Sequence, residues 1–123
     1  MVYDTALMTA AGRRRKELLL GDPELRGHLV ESAIGAYLLA RSKELGFRLG
    51  WWRDGNDEVD FVLSDAREVV AVEVKSGRTK SQGGMAAFLR KYPEAMRIVV
   101  GGSASGSCSV EEFLMGEVEL PWD

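Results

Sequence analysis

From Phe47 to Lys75 the chain spells three extended runs in succession, interrupted by two tight turns. Phe47 to Arg53 carries Trp51 and Trp52. Glu58 to Ser64 is built on Val59, Phe61, Val62 and Leu63. Glu68 to Lys75 holds Val69, Val70, Val72 and Val74. β-branched and aromatic residues at this density read as strands. The connectors, Asp54-Gly55-Asn56-Asp57 and Asp65-Ala66-Arg67, are turn sequences far too short to cross a sheet. A parallel connection needs roughly a dozen residues, so strands joined this way lie antiparallel. The rest of the chain has to pack on that meander.

A helix is expected before it. Asp22 suits the N-cap, Pro23 the first helical position and Gly46 the position just past the end, so the helix runs from Pro23 to about Leu45. At about 1.5 Å per residue it is roughly 33 Å long. Leu25, Leu29, Ala33, Ala36, Tyr37 and Ala40 form one apolar stripe; Val30, Ile34, Leu38 and Leu45 form a second. So wide an apolar girth predicts cover on more than one side. After the meander, Ser76-Gly77 breaks the third strand. A second helix follows from about Gln82 to Tyr92, its first turn weakened by Gly83-Gly84 and its end set by Pro93. Ala95 to Val100 is a fourth strand. A helical connection places it parallel to the third strand or a near neighbour. Gly101 to Ser109 reads as a loop, Val110 to Met115 as a short helix, and Trp122 as an anchor for the tail. The expected fold class is α/β: a mixed sheet with flanking helices, one domain over 1–123, with a lead-in over 1–21 and a tail over 117–123.

Several chemistries are excluded early. A single cysteine, Cys108, rules out an internal disulfide and any multi-cysteine zinc site. A single histidine, His28, rules out a two-histidine metal site. There is no GxxxxGK[ST] phosphate loop. No apolar run reaches the roughly 18 residues of a membrane span, and the N-terminal charges follow the apolar part, the reverse of a signal peptide. The expectation is a cytoplasmic protein with no membrane partner. Sixteen basic against 19 acidic residues exclude an overall basic coat but not a local patch.

Four polar residues stand where the pattern wants apolar ones. Glu31 has Gly27, Ile34, Gly35 and Leu38 as its helical neighbours. Asp60 interrupts Val59-Asp60-Phe61-Val62-Leu63. Glu73 and Lys75 share one face of the valine-rich strand. Carboxylates in a strand buried on both faces must be paired or hold a metal. If Asp60 lies opposite Glu73 in the hairpin, their Cβ atoms are about 5 Å apart. Hard oxygen ligands so placed suit Mg²⁺ or Mn²⁺. The same spacing also fits a wet hairpin face, with Glu58, Asp60, Glu73 and Lys75 in cross-strand ion pairs. A charge asymmetry adds to the first reading. Lys75 to Lys91 holds Lys75, Arg78, Lys80, Arg90 and Lys91 and no acid. A basic edge beside an acidic pocket suits a phosphodiester backbone, with Ser76 and Gln82 as neutral contacts.

Glu31 in a leading helix, Asp60 in the second strand and Glu73-Val74-Lys75 in the third resemble the PD-(D/E)XK nuclease superfamily, which includes restriction endonucleases and archaeal Holliday junction resolvases. The strings GHLVESAIGAYLL, WWRDGNDEVDFVL and VVAVEVKSG resemble one branch more closely. That branch is the C-terminal domain of unknown function found after an AAA+ ATPase core in archaeal and bacterial proteins. The resemblance runs from about Tyr3 to Gly116, and VYDTALM looks like the join to the ATPase core of longer relatives. It implies a restriction-endonuclease-like fold. It implies that Asp60, Glu73 and the Val74 carbonyl hold Mg²⁺ (or Mn²⁺), that Lys75 activates the attacking water and stabilises the phosphorane, and that Glu31 orients a metal-bound water or a second ion. It implies a nuclease activity on DNA; the charge asymmetry described above then makes Arg78, Lys80, Gln82, Arg90 and Lys91 the expected backbone contacts. One departure is that Val59, not proline, precedes Asp60. The alternatives are a catalytically silent module that binds nucleic acid or protein, and a homodimerisation domain using Trp51, Trp52 and Trp122 as an aromatic patch.

Overall fold

The structure, a computed structural model, describes residues 22–75, 83–102 and 105–123. The lead-in, including its Arg13–Lys16 basic run, lies outside the described residues. Helix α1 spans Pro23–Leu45, and its signals work as the sequence implies. The Asp22 carboxylate accepts a hydrogen bond from the Leu25 N–H at 3.2 Å. Gly46 takes φ +85° and donates its N–H to the Ser42 carbonyl at 2.8 Å, closing the helix.

The meander forms as β1 (Arg48–Asp54), β2 (Asp57–Ser64) and β3 (Val69–Lys75). Asp54 pairs with Asp57, leaving Gly55-Asn56 as a two-residue turn with Gly55 at φ +62°. Helix α2 (Gly84–Lys91) then crosses over to β4 (Met96–Gly101), which pairs with β3 in parallel. The sheet order is β1-β2-β3-β4: three antiparallel strands and one parallel. Helix α3 (Val110–Leu114) follows, capped by Ser109. The Ser109 hydroxyl accepts the Glu112 N–H at 3.0 Å, and the Glu112 carboxylate accepts the Ser109 N–H at 3.1 Å. The mixed α/β fold class is as expected, and each element sits within about two residues of its expected bounds.

Helices cover both faces of the sheet. On one face Ile34 and Leu38 of α1 bury against Val70, Val72, Val74, Ile98 and Val100, with Phe113 from α3. On the other, Met85 and Phe88 of α2 bury against Val59 and Ala71. Each fully buried side chain of this size stabilises the fold by about 1.5–3 kcal/mol. The second stripe of α1 is therefore its core face. The first stripe does not gain comparable cover: Leu25 and Ala40 are exposed, and Leu29, Ala33, Ala36 and Tyr37 are half-buried. Only one flank of the helix meets the sheet, and Tyr37 turns its ring edge-on to Phe113 at 5.4 Å.

The segment after α3 is part of the core rather than a trailing end. Leu120 is buried, the Trp122 ring stacks on Phe47 at 4.6 Å, and Arg41 of α1 ion-pairs with Asp123. Asp65, in the β2–β3 turn, ties this segment to the sheet. One of its oxygens accepts the Arg67 and Glu68 N–H groups, both at 2.7 Å; the other accepts the Trp122 indole N–H at 2.7 Å. These donors, the indole first, hold the Asp65 carboxyl below the usual aspartate range. A depressed native value contributes stability at pH above the unfolded value of about 3.9, and this is lost as pH falls through the native value. Urea midpoints of wild type and Asp65→Ala should therefore differ at pH 6 and converge on acidification towards pH 2. A gap that persists in acid would assign the effect to packing alone.

Candidate functional site

Strand β2 is irregular where the sequence singles out Asp60. Gly50 of β1 pairs with Val62, yet Trp52 pairs with Val59. Two residues, Asp60 and Phe61, thus stand opposite one, Trp51. This is a β-bulge, a device that re-aims a side chain. Its effect is visible on either side: Val59 packs on the α2 face, whereas Phe61 and Leu63 pack on the α1 face.

The β2–β3 ladder runs from Ser64↔Val69 to Phe61↔Val72. One step further along that register Asp60 would meet Glu73, but the pairing ends before it. There the Asp60 side chain replaces the ladder and accepts the Val74 N–H at 2.8 Å. In a strand the N–H and C=O of one residue point to the same side, so the Val74 carbonyl is directed towards β2 as well. β3 meanwhile keeps its pairing with β4 through Lys75↔Gly101. The gap therefore opens on the β2 side only.

Glu73 and Lys75 share the alternation of Ala71, which places them on the α2 face. The Lys75 ammonium lies 3.3 Å from a Glu73 carboxylate oxygen. The Glu73 side chain is mostly buried, at 17% exposed, while that of Lys75 is 45% exposed. An ammonium that can reach solvent beside a carboxylate that largely cannot is suited to meeting an incoming anion. Glu58 is not part of this group; it is exposed and lies 3.7 Å from Arg53. Among the described residues, the wet-face alternative thus finds a cross-strand ion pair in Arg53–Glu58 and a pair within β3 in Lys75–Glu73.

Glu31 lies on α1, one turn before Ile34. One of its carboxylate oxygens is shielded from solvent. Its helix covers the face bearing Val70, Val72 and Val74, not the face that carries Glu73. Among the described residues, no three His, Cys, Asp or Glu side chains stand together closely enough to hold a metal ion. What the hairpin supplies is a smaller donor set: the Asp60 and Glu73 carboxylates and the Val74 carbonyl. That set fits Mg²⁺, which commonly takes one or two carboxylates and fills its shell with water and phosphate oxygens.

The basic segment divides. Ser76, Arg78, Lys80 and Gln82 lie outside the described residues. Arg90 and Lys91 are exposed in the last turn of α2, where cations favour the helix dipole. That turn is about 10 Å along the helix from Gly84, the residue that touches β2. Of the three tryptophans expected in an aromatic patch, only Trp51 is strongly exposed, at 72%. Trp52 packs edge-on against Phe88 at 5.4 Å, and Trp122 is stacked on Phe47. The patch fails because two of the rings are used by the core.

Two contributors escape the sequence reading. Gly101 and Gly102 were expected only as the start of a loop. Both take positive φ, and a Cβ on Gly101 would stand 2.4 Å from the Lys75 carbonyl oxygen. The glycines let the end of β4 lie against Lys75. The available signal was a Gly-Gly pair at the end of a strand, a mark of close backbone approach.

An open mixed sheet with helices on both faces, and an acid–acid–lysine group where one hairpin ladder gives out, defines an α/β domain with a polar site at a strand end. Over residues 26–111 the chain matches the family described as domain of unknown function (DUF4143), and it belongs to that family. No curated protein and no solved structure matches it. Among the described residues, no helix is long and apolar enough to cross a membrane.

Proposed function

We propose that this domain is a divalent-metal-dependent DNA phosphodiesterase of the PD-(D/E)XK nuclease type. The observation that carries the reading is the Asp60 carboxylate seated on the Val74 N–H, between Glu73 and Lys75. Two motifs 13 residues apart in sequence meet there, in the order and strands that the resemblance implies. Asp60, Glu73 and the Val74 carbonyl would hold Mg²⁺ or Mn²⁺. Such an ion supplies Lewis acidity and makes water a better nucleophile at neutral pH.

The chain's own residues do the rest. The Val74 N–H fixes the direction of the Asp60 carboxylate, as partners of metal ligands commonly do. The Lys75 ammonium stabilises negative charge growing on the phosphate oxygens, the main requirement of phosphoryl transfer. Glu31 remains a proposed helper from α1, orienting water or a second ion. DNA is the proposed substrate, with Arg78, Lys80, Gln82, Arg90 and Lys91 as proposed backbone contacts. An AAA+ ATPase core is a proposed partner in longer relatives.

With Mg²⁺ or Mn²⁺ the protein should nick or cut duplex, flap or junction DNA. Asp60→Ala and Lys75→Ala should each reduce the rate by at least about 100-fold, and EDTA should stop it. Cutting that survives both substitutions belongs to a contaminant. A second reading is a catalytically silent nuclease-fold module, favoured by the lack of a three-acid group among the described residues. Salt-dependent DNA binding with no cleavage of any substrate would select it.

A further inference from the structure

We infer that Gly102 is a positioning residue: because it has no side chain, the backbone beyond β4 lies against the aliphatic stem of Lys75 and keeps that ammonium beside Glu73. The holding is a property of the fold; its use at a phosphate rests on the nuclease reading above. A Cβ on Gly102 would stand 3.3 Å from the Lys75 Cβ and 3.5 Å from its Cγ. The glycine therefore borders the Cβ–Cγ bond, where the direction of a lysine side chain is set. Gly101 and Gly102 take φ +85° and +74°, which turns the chain out of β4 at this point. The turn is pinned. The Gly101 N–H donates to the Cys108 carbonyl at 2.7 Å, and the Cys108 N–H donates to the Val99 carbonyl at 3.0 Å. On the other side of Lys75 the β2–β3 ladder has already ended, at Phe61↔Val72. With no strand partner on the β2 side, the stem has its wall on the β4 side. The ammonium 3.3 Å from a Glu73 oxygen is the result.

The holding has a chemical use. A lysine stem is long and flexible, so an unrestrained ammonium samples many directions. A charge stabilises a transition state best when its direction is fixed in advance. A side chain at position 102 would fill the space beside the stem. The Lys75 Cβ is fixed to β3 and Gly101 is fixed to Cys108, so the part free to give is the stem beyond Cβ. The competing account is that Gly102 serves only its backbone angle. Gly106 separates the two. It takes φ +85° a few residues on, yet a Cβ there would meet nothing within 4 Å. Substitution at either glycine strains the backbone; only the one at Gly102 touches the lysine. Asn is the suitable replacement at both, because it tolerates positive φ better than other residues with a side chain.

The test is the ¹⁵Nζ ammonium resonance of Lys75, assigned by its loss in Lys75→Ala and recorded at fixed pH without divalent ions. Glu73→Gln should move it, which marks the position of an unpaired ammonium. Gly102→Asn should move it at least about half of that distance, and Gly106→Asn should leave it in place. Wild type should also show a nuclear Overhauser contact between the Gly102 α-protons and the Lys75 β- or γ-protons. The inference is overturned if that contact is absent, if Glu73→Gln leaves the resonance in place, if Gly102→Asn does so, or if Gly106→Asn moves it equally. In cleavage with Mg²⁺, Gly102→Asn should lower kcat by about tenfold or more with KM unchanged, since a misplacement of about 1 Å costs about 100-fold. Gly106→Asn should match wild type. If the wild type cuts nothing while Gly102→Asn displaces the ammonium, the nuclease reading fails and the holding of Lys75 stands. If Asp60-dependent cutting is found with kcat unchanged in Gly102→Asn, only the positioning role fails.

Discussion

Replacing Gly84 with alanine should destabilise the domain by about 3 kcal/mol or more, at the upper end of what overpacking costs. Helix propensity alone predicts the opposite sign, a gain of about 1 kcal/mol for Gly→Ala inside a helix. The geometry decides between them. A Cβ on Gly84 would stand 1.9 Å from the Glu58 carbonyl oxygen, 2.7 Å from its carbon and 2.9 Å from its nitrogen. All three are backbone atoms of β2, held in the sheet by pairing with Arg53. They cannot swing aside, so α2 must lift, and Met85 and Phe88 lose their contact with Val59 and Ala71. Gly83 is the internal control. Its added Cβ would meet only the far end of the Asp57 side chain, at 2.7 Å, and that end can rotate away. Gly83→Ala should change stability by less than about 1 kcal/mol. Urea unfolding of the two variants beside wild type reads the difference. If Gly84→Ala equals Gly83→Ala, the close approach of α2 to β2 is not a determinant of the fold.

The same pair shows where the sequence was readable. Gly83-Gly84 was visible as a weak helix start, because propensity is a property of single residues. Its positive use was not visible, because the partner is the backbone of Glu58, some 25 residues away and silent in any local pattern. The elements themselves were legible for the converse reason. Asp22, Pro23 and Gly46 act within one turn of the helix they bound, and the short turns after Asp54 and Asp65 admit only a meander. The approach of Asp60 to the end of β3, where it bonds the Val74 N–H, was legible as a conditional, since hairpin register follows from turn length. The bulge at Asp60-Phe61 was not, because an extra residue in one strand leaves the apolar pattern of the other untouched. Glu31 was singled out by its apolar helical neighbours, but the face its helix would cover depended on which stripe met the sheet. Trp51, Trp52 and Trp122 look alike in sequence, and only the ring partners Phe88 and Phe47 separate the core tryptophans from the exposed one.

Asp60 should behave differently in stability and in metal response, and that difference separates a site from a structural hydrogen bond. Its carboxylate accepts the Val74 N–H at 2.8 Å, so Asp60→Ala leaves a half-buried backbone donor without its partner. The expected loss is about 1–3 kcal/mol. Asp60→Asn keeps an acceptor oxygen in the same place and removes the charge. Without divalent ions it should match wild type within about 1 kcal/mol, or exceed it, because a negative charge beside the Glu73 end of β3 is gone. Adding Mn²⁺ should split the pair. Ligand that binds only the native state stabilises it by about 2.7 kcal/mol at a hundred times the dissociation constant. Wild type should gain in melting temperature as Mn²⁺ rises, and Asp60→Asn should not. If both variants lose stability equally and neither they nor wild type respond to Mn²⁺ or Mg²⁺, Asp60 is a strut for the end of β3, and the silent module becomes the better account of this domain.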